Sequence, residues 1–231
     1  HIELAKPVYH PGFIKKTKKL LEMVCHNCSK VLLDRNNPQF KAAVAIRDPK
    51  RRFDTIWRLC KPKMICDSDV NMTEEEMNSD PKEASKRSHG GCGNTQPEVR
   101  LTALQLMGTW KVPKDEESET SQPEKRPISA DIALHILKGI STEEVYDLGL
   151  NTDYARPEWM IITVLPVPPP PVRPSISADG SGSGMRGEDD LTYKLGDIIR
   201  ANGNVRQAQQ EGSPQHILQD FEALLQYHVA T

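Results

Sequence analysis

Along residues 13–24 apolar side chains recur at Phe13, Leu20, Leu21 and Val24, with Lys15, Lys16, Lys18 and Lys19 on the other faces. This spacing predicts an amphipathic helix that delivers Cys25 at its end. Asn37-Pro38 predicts the start of a second helix, a capping side chain followed by a residue whose fixed φ suits the first turn. A third helix is expected from about Pro49 through Phe53, Ile56, Trp57 and Cys60. Ser129 reads as the cap of a helix through Ile132, Ile136 and Leu137. Ser141-Thr142-Glu143-Glu144 is a capping box opening a short helix that stops at Gly149. Residues 158–165 alternate and are rich in β-formers, which predicts a strand. Residues 1–12 read as extended or turning, punctuated by Pro7 and Pro11.

Nearer the C-terminus the pattern becomes a helical hairpin. Leu191, Leu195, Ile198 and Ile199 mark one apolar stripe; Ile217, Leu218, Phe221, Leu224, Leu225 and His228 mark the other. Glu188, Asp189 and Asp190 stand at the positive end of the first helix, and Ser213-Pro214 starts the second. The polar stretch 201–212 is expected to form a projecting tip, with Asn202, Asn204, Val205, Arg206 and Gln209 as candidates for docking a partner. An ordinary packed helix pair is the alternative. Residues 167–174 must be extended, polyproline-like chain, and the Gly/Ser stretch 179–187 reads as a mobile loop. Two polar, acidic stretches, near 67–88 and 113–127, read as disordered inserts.

Cys25-His26-Asn27-Cys28 changes the picture, together with Cys66 and with Cys92 inside Gly90-Gly91-Cys92-Gly93. Thiolates three residues apart grip one face of a tetrahedral ion, and glycines beside a third let the backbone close in. The four cysteines are expected to hold one structural Zn²⁺. Ordinary buried thiols or a redox pair are the alternatives. Cys60 reads as a core residue, and His26 and His89 as neighbours able to substitute. The class expected is α+β: mostly helical, a zinc-stapled head with a strand and an antiparallel helical hairpin beside it.

With 231 residues, 37% hydrophobic and only 5% aromatic, the apolar core is modest and a metal staple makes sense. The net charge of −2 gives no overall basic field. Five cysteines with a knuckle favour a reducing compartment, and no apolar run reaches membrane-spanning length. The most basic segment holds Arg47, Lys50, Arg51, Arg52, Arg58, Lys61 and Lys63. It could hold a phosphate backbone or be a solvated helix flank. The sequence carries no phosphate-binding glycine loop, no Asp-rich magnesium cluster and no nucleophile elbow, so no catalytic constellation is read from it. Starting at His1 rather than Met, the chain is expected to be part of something longer.

Several long runs carry a family name. They are 165–174 (Leu-Pro-Val-Pro-Pro-Pro-Pro-Val-Arg-Pro), 155–160 (Ala-Arg-Pro-Glu-Trp-Met), the opening 1–8, the cysteine loop 90–97 and the final 224–231. Across essentially its whole length the chain resembles the largest subunit of eukaryotic RNA polymerase II. The resemblance implies the clamp, a nuclear, non-membrane element that closes over template DNA and the RNA–DNA hybrid. It implies zinc at Cys25, Cys28, Cys66 and Cys92, a clamp head over 14–160, and clamp-core segments at 1–13 and 161–231. It also implies a lid near 172–190 and a coiled coil near 189–228 that docks initiation and elongation factors. Other polymerase subunits are implied partners; Arg173, beside Arg47, Lys50, Arg51 and Arg52, is a candidate for nucleic-acid contact. The parent enzyme is a nucleotidyltransferase whose catalytic Mg²⁺ motif lies outside these residues, so no catalytic residue is assigned here. Two other readings stand beside it: a free-standing zinc-binding adaptor that docks partners through the hairpin, and the equivalent subunit of polymerase I or III, which the proline run fits less well.

Overall fold

The computed structural model describes residues 1–68, 89–111, 123–177, 180, 182 and 184–231. It is an α+β structure, with seven α-helices and three small antiparallel sheets among the described residues. The chain forms two compact units, His1–Pro11 with Ile161–Thr231, and Gly12–Met160.

In the Gly12–Met160 unit, α1 (Ile14–Leu21) buries Ile14, Thr17, Leu20 and Leu21. Phe13, expected on that stripe, is 44% exposed, and the helix stops before Cys25, with residues 22–24 leading on to it. α2 (Pro38–Val44) starts as expected: the Asn37 side chain accepts from the backbone N–H groups of Gln39 and Phe40. α3 (Pro49–Cys60) is capped by Asp48, which accepts from Lys50 N–H, and it buries Phe53, Ile56 and Cys60. A meander follows, of β2 (Glu98–Thr102), β3 (Gln105–Trp110) and β4 (Glu124–Ile128). Sequence reading missed β2 and β3, and it placed residues 124–127 in a disordered insert. Those residues instead pair with β3, where Pro127 is tolerated because β4 is an edge strand. The rest of that insert from 113 to 122, and the other from 69 to 88, lie outside the described residues. α4 (Ala130–Lys138) begins at Ser129 and α5 (Thr142–Asp147) at a complete Ser141–Glu144 capping box. Gly149, at φ +79°, turns the chain away. Residues Pro157–Met160 form a 3₁₀ turn, so the strand expected over 158–165 begins only at Ile161. Leu20, Ile56, Leu106, Ile136, Leu137 and Leu148 are fully buried and hold this unit together.

In the other unit, β1 (Ile2–Tyr9) pairs antiparallel with β5 (Ile161–Leu165). The register jumps between Glu3 and Val8, so residues 4–7 oppose only Thr163. Pro7 lies in that bulge, where a missing N–H does least harm. The hairpin is α6 (Asp190–Gln210) and α7 (Gln215–Ala230), packed on β1 around Val8, Ile198, Ala201, Val205 and Leu225. Asp189 caps α6, but Pro214 stands at the cap position of α7 and no side chain caps it. α6 continues through residues expected at the tip, because the apolar spacing Ala201, Val205, Ala208 extends its buried face. The turn is short: Gly212 at φ +66° and a Ser213 N–H to Ala208 C=O bond of 3.0 Å close the helix. Ile199, at 57% exposed, and Leu191, at 46%, lie off the buried stripe. Within the proline run, Val172 N–H reaches Pro169 C=O and Arg173 N–H reaches Pro170 C=O, so a turn interrupts the expected extended chain. Part of the Gly/Ser stretch is also ordered, with β6 (Ile176–Ser177) pairing with β7 (Arg186–Gly187).

Candidate metal centre

The first half of the centre is a turn built after α1. Cys25 N–H donates to Lys30 C=O at 2.8 Å and Ser29 N–H to Cys25 C=O at 3.0 Å. A Val24–Val31 bridge closes the turn, with Ser29 at φ +62°. The second half pairs two strand-like pieces, Cys66 N–H to Asn94 C=O at 3.0 Å and Gln96 N–H to Met64 C=O at 2.7 Å. Gly91 leaves no room for a side chain: a Cβ there would fall 2.5 Å from Cys66 Sγ and also strike the Asp67 carbonyl. Glycine is required because the loop passes against the sulfur.

The two halves bring Cys25, Cys28, Cys66 and Cys92 together, with all four sulfurs within 4.8 Å of one another. Cys25 and Cys92 sulfurs lie 3.4 Å apart, and Cys28 and Cys66 sulfurs 3.7 Å. A tetrahedral zinc with bonds of about 2.3 Å sets its sulfurs about 3.8 Å apart, so these spacings fit one ion. Cys60, buried beyond the cluster, takes no part, as its apolar sequence setting suggests. His26 is also outside it, its Nε2 bonded to Leu21 C=O at 2.8 Å. His89 Nδ1 faces Asp34 at 3.5 Å instead.

The four sulfurs do not share one environment. Burial raises the Cys66 thiol to about 12 and also pushes Cys25 up. Cys92 moves the other way, to about 6: burial would raise it, but hydrogen bonds from the Asn94 backbone and from Asn27, Cys25 and Cys28 outweigh that. A divalent ion held between them would supply the charge that lets all four ionise together.

Gln96 was not identified from sequence, since nothing distinguishes a lone glutamine beside a glycine loop. It is 5% exposed and bridges the halves: Oε1 accepts from His26 N–H at 2.8 Å, and Nε2 donates to Cys25 Sγ at 3.2 Å and Asn94 C=O at 2.9 Å. Asn27 N–H and Asn94 Nδ2 give further sulfur contacts, each of 3.4 Å, to Cys25 and Cys92.

Residues 1–231 match the family model described as RNA polymerase Rpb1, domain 1. The chain belongs to this family. It is therefore part of the largest subunit of a DNA-directed RNA polymerase, a multi-subunit enzyme that works on DNA. No helix among the described residues is long and apolar enough to cross a membrane.

The basic candidates of this polymerase subunit fall in different settings. Arg47, Lys50 and Arg51 are exposed. Arg52 is buried, with Nη1 donating to the carbonyls of Val44 and Ile46 and its guanidinium 5.3 Å from the Tyr146 ring. Arg173 is half-buried, donating to Pro168 C=O at 2.8 Å and to Thr192 Oγ1 at 3.3 Å. Of the docking candidates, Asn204, Arg206 and Gln209 are exposed, whereas Asn202 and Val205 are buried against β1.

Proposed function

We propose that the chain is the mobile clamp of RNA polymerase II, a nuclear enzyme, and that Cys25, Cys28, Cys66 and Cys92 hold a structural zinc. The observation that carries this reading is the convergence of four sulfurs, from stretches up to 67 residues apart, on one point in a unit with a modest apolar core. Bound zinc supplies a rigid cross-link and no chemistry on substrate. A unit stiffened in this way swings as one piece, so closing over template DNA and the RNA–DNA hybrid needs no reacting group of its own. Exposed Arg47, Lys50 and Arg51 give contacts to phosphates that ignore sequence, as suits an enzyme that must move along any template. The residues 14–160 act as the clamp head, 172–190 as the lid, and the hairpin takes initiation and elongation factors through Asn204, Arg206 and Gln209. Catalysis and its Mg²⁺ belong to other parts of the parent enzyme.

Native mass spectrometry of the full-length parent protein, purified gently from cells, tests the placement. A multi-subunit polymerase is the expected result; a lone zinc-loaded chain or one small partner overturns it in favour of an adaptor. Chelating the zinc is expected to weaken template retention by the elongation complex. Retention that survives loss of the ion removes the stiffening role.

A further inference from the structure

We infer that a hollow between the start of α1, the α2–α3 turn and the segment after α5 is a phosphate site for a nucleic-acid strand, a step that rests on the polymerase reading above. The cavity measures about 610 Å³, the size of a small-ligand site, about 300–1,000 Å³. Such sites are mainly apolar, yet this one is lined by Lys16, Arg47 and Arg52 and by no carboxylate.

Arg52 is its fixed member. The side chain is 9% exposed and anchored through Nη1 alone, by the Val44 and Ile46 carbonyls at 3.5 and 3.2 Å. Its Nε is buried without a partner, and Nη2 makes no hydrogen bond among the described residues. Those two nitrogens form one edge of the guanidinium, the edge that pairs side-on with two oxygens of a phosphate. A buried donor left unpaired is costly, so the edge is poised for an acceptor. Gly149 keeps it clear: a Cβ at this φ of +79° would fall 3.3 Å from Arg52 Nε and 2.6 Å from Pro49 C=O. The Tyr146 ring lies beside the fork, its centre 5.3 Å from the guanidinium carbon.

The other cations make the ligand a strand rather than a single ion. Lys16, half-buried with Nζ 5.0 Å from the Phe53 ring, and Arg47 form no ion pair among the described residues. A second hollow of about 550 Å³ shares Lys16, Pro49 and Gly149 with the first and adds Lys15, Lys19 and Lys50. Its one carboxylate, Asp54, is already taken by Lys19 at 2.7 Å. The two hollows together present six cations in a continuous run, which suits a polyanion with regularly spaced phosphates.

The test uses the whole polymerase carrying variants in this subunit, with DNA retention followed as salt is raised. Each phosphate contact contributes about 0.7–0.9 to the slope of log affinity against log salt, so the double variant Lys16→Gln, Arg47→Gln is expected to flatten it by about 1.5. Lys41→Gln, an exposed charge on α2 that lines neither hollow, is expected to leave the slope alone. Arg52 is left intact because it also holds the Val44 and Ile46 carbonyls. Unchanged subunit composition and zinc content show that the variants fold. An unchanged slope in the double variant overturns the site, as does an equal loss in Lys41→Gln, which makes the effect one of diffuse charge. Loss of an acidic protein partner with DNA retention intact overturns it in favour of a peptide. If the wild-type chain purifies outside any DNA-binding assembly, the functional reading fails and takes the site with it.

Discussion

Gln226 meets Tyr9 as a neighbouring strand would. Its Oε1 accepts from Tyr9 N–H at 2.6 Å and its Nε2 donates to Tyr9 C=O at 2.9 Å, across 217 positions of sequence. Asn202 repeats the arrangement further along β1, accepting from Ala5 N–H at 2.7 Å and donating to Glu3 C=O at 2.9 Å. Both amides are buried. Each helix of the hairpin thus lends β1 a side chain in place of a backbone partner, which keeps a bulged strand in register.

Gln226→Leu is expected to remove both of its bonds to the Tyr9 backbone in a buried site, at a cost of roughly 1–3 kcal/mol. Hydrogen exchange on the intact polymerase reads it directly: the Tyr9 amide should exchange at least tenfold faster. Unchanged protection there would show that the side chain is not the partner that matters.

Gly91→Ala is expected to do to the metal centre what loss of a ligand does. The added Cβ meets Cys66 Sγ at 2.5 Å, so the loop must withdraw and carry Cys92 with it. Metal analysis of the purified enzyme should find one zinc fewer per molecule, as it should for Cys66→Ser or Cys92→Ser.

Gln96→Leu removes the bond to Cys25 sulfur and the tie between the two halves while leaving all four ligands in place. Release of the ion to a chelator is expected to quicken by about 10–100-fold, the usual cost of losing such a supporting group. A rate equal to wild type would mean that the four cysteines hold the ion unaided.

The ion pair of Lys19 with Asp54, 2.7 Å long, predicts a small pH-dependent contribution. The hydrogen bond from Lys19, and its charge, hold the Asp54 carboxyl below its ordinary value. A depressed carboxyl stabilises the fold above the unfolded-state value of about 3.9, and the benefit is lost as pH falls through the lower folded value. Both side chains are about one-third exposed, so a double-mutant cycle with Asp54→Asn and Lys19→Met should give only about 0.5 kcal/mol. That coupling should be flat from about pH 5 to 8 and shrink in high salt.

What was legible in the sequence was local. Asn37-Pro38, Ser129 and the Ser141–Glu144 box mark helix starts because one side chain satisfies backbone groups two or three residues away. Cys25 and Cys28 declare themselves by spacing, and Cys92 by its glycines. The β2–β3 hairpin was not legible because its turn is Ala103-Leu104, with Ala103 at φ +53° and none of the usual Asn or Gly there. β4 was hidden by its own polarity, being an edge strand whose Glu124, Lys125, Arg126 and Pro127 are exposed. Arg52 illustrates the limit most clearly. The two residues before it, Lys50 and Arg51, are exposed, and only what the fold brings around Arg52, the Val44 and Ile46 carbonyls, Tyr146 and Gly149, makes this cation different from those two.

The division of the chain has a consequence for how it is made. Residues 12–160 are an insertion, in sequence, between the segment His1–Pro11, which holds β1, and its partners among the described residues, β5 and the hairpin. At about 5–20 residues per second, the ribosome adds Asn202 and Gln226 roughly 10–40 seconds after β1. Through that interval β1 waits for β5 and the hairpin helices, with Pro7 and Lys6 to discourage wrong partners, while the unit Gly12–Met160 with the four cysteines is already contiguous. Biosynthesis thus runs inside out: the unit with the four cysteines can mature first, and the unit that flanks it in sequence closes later.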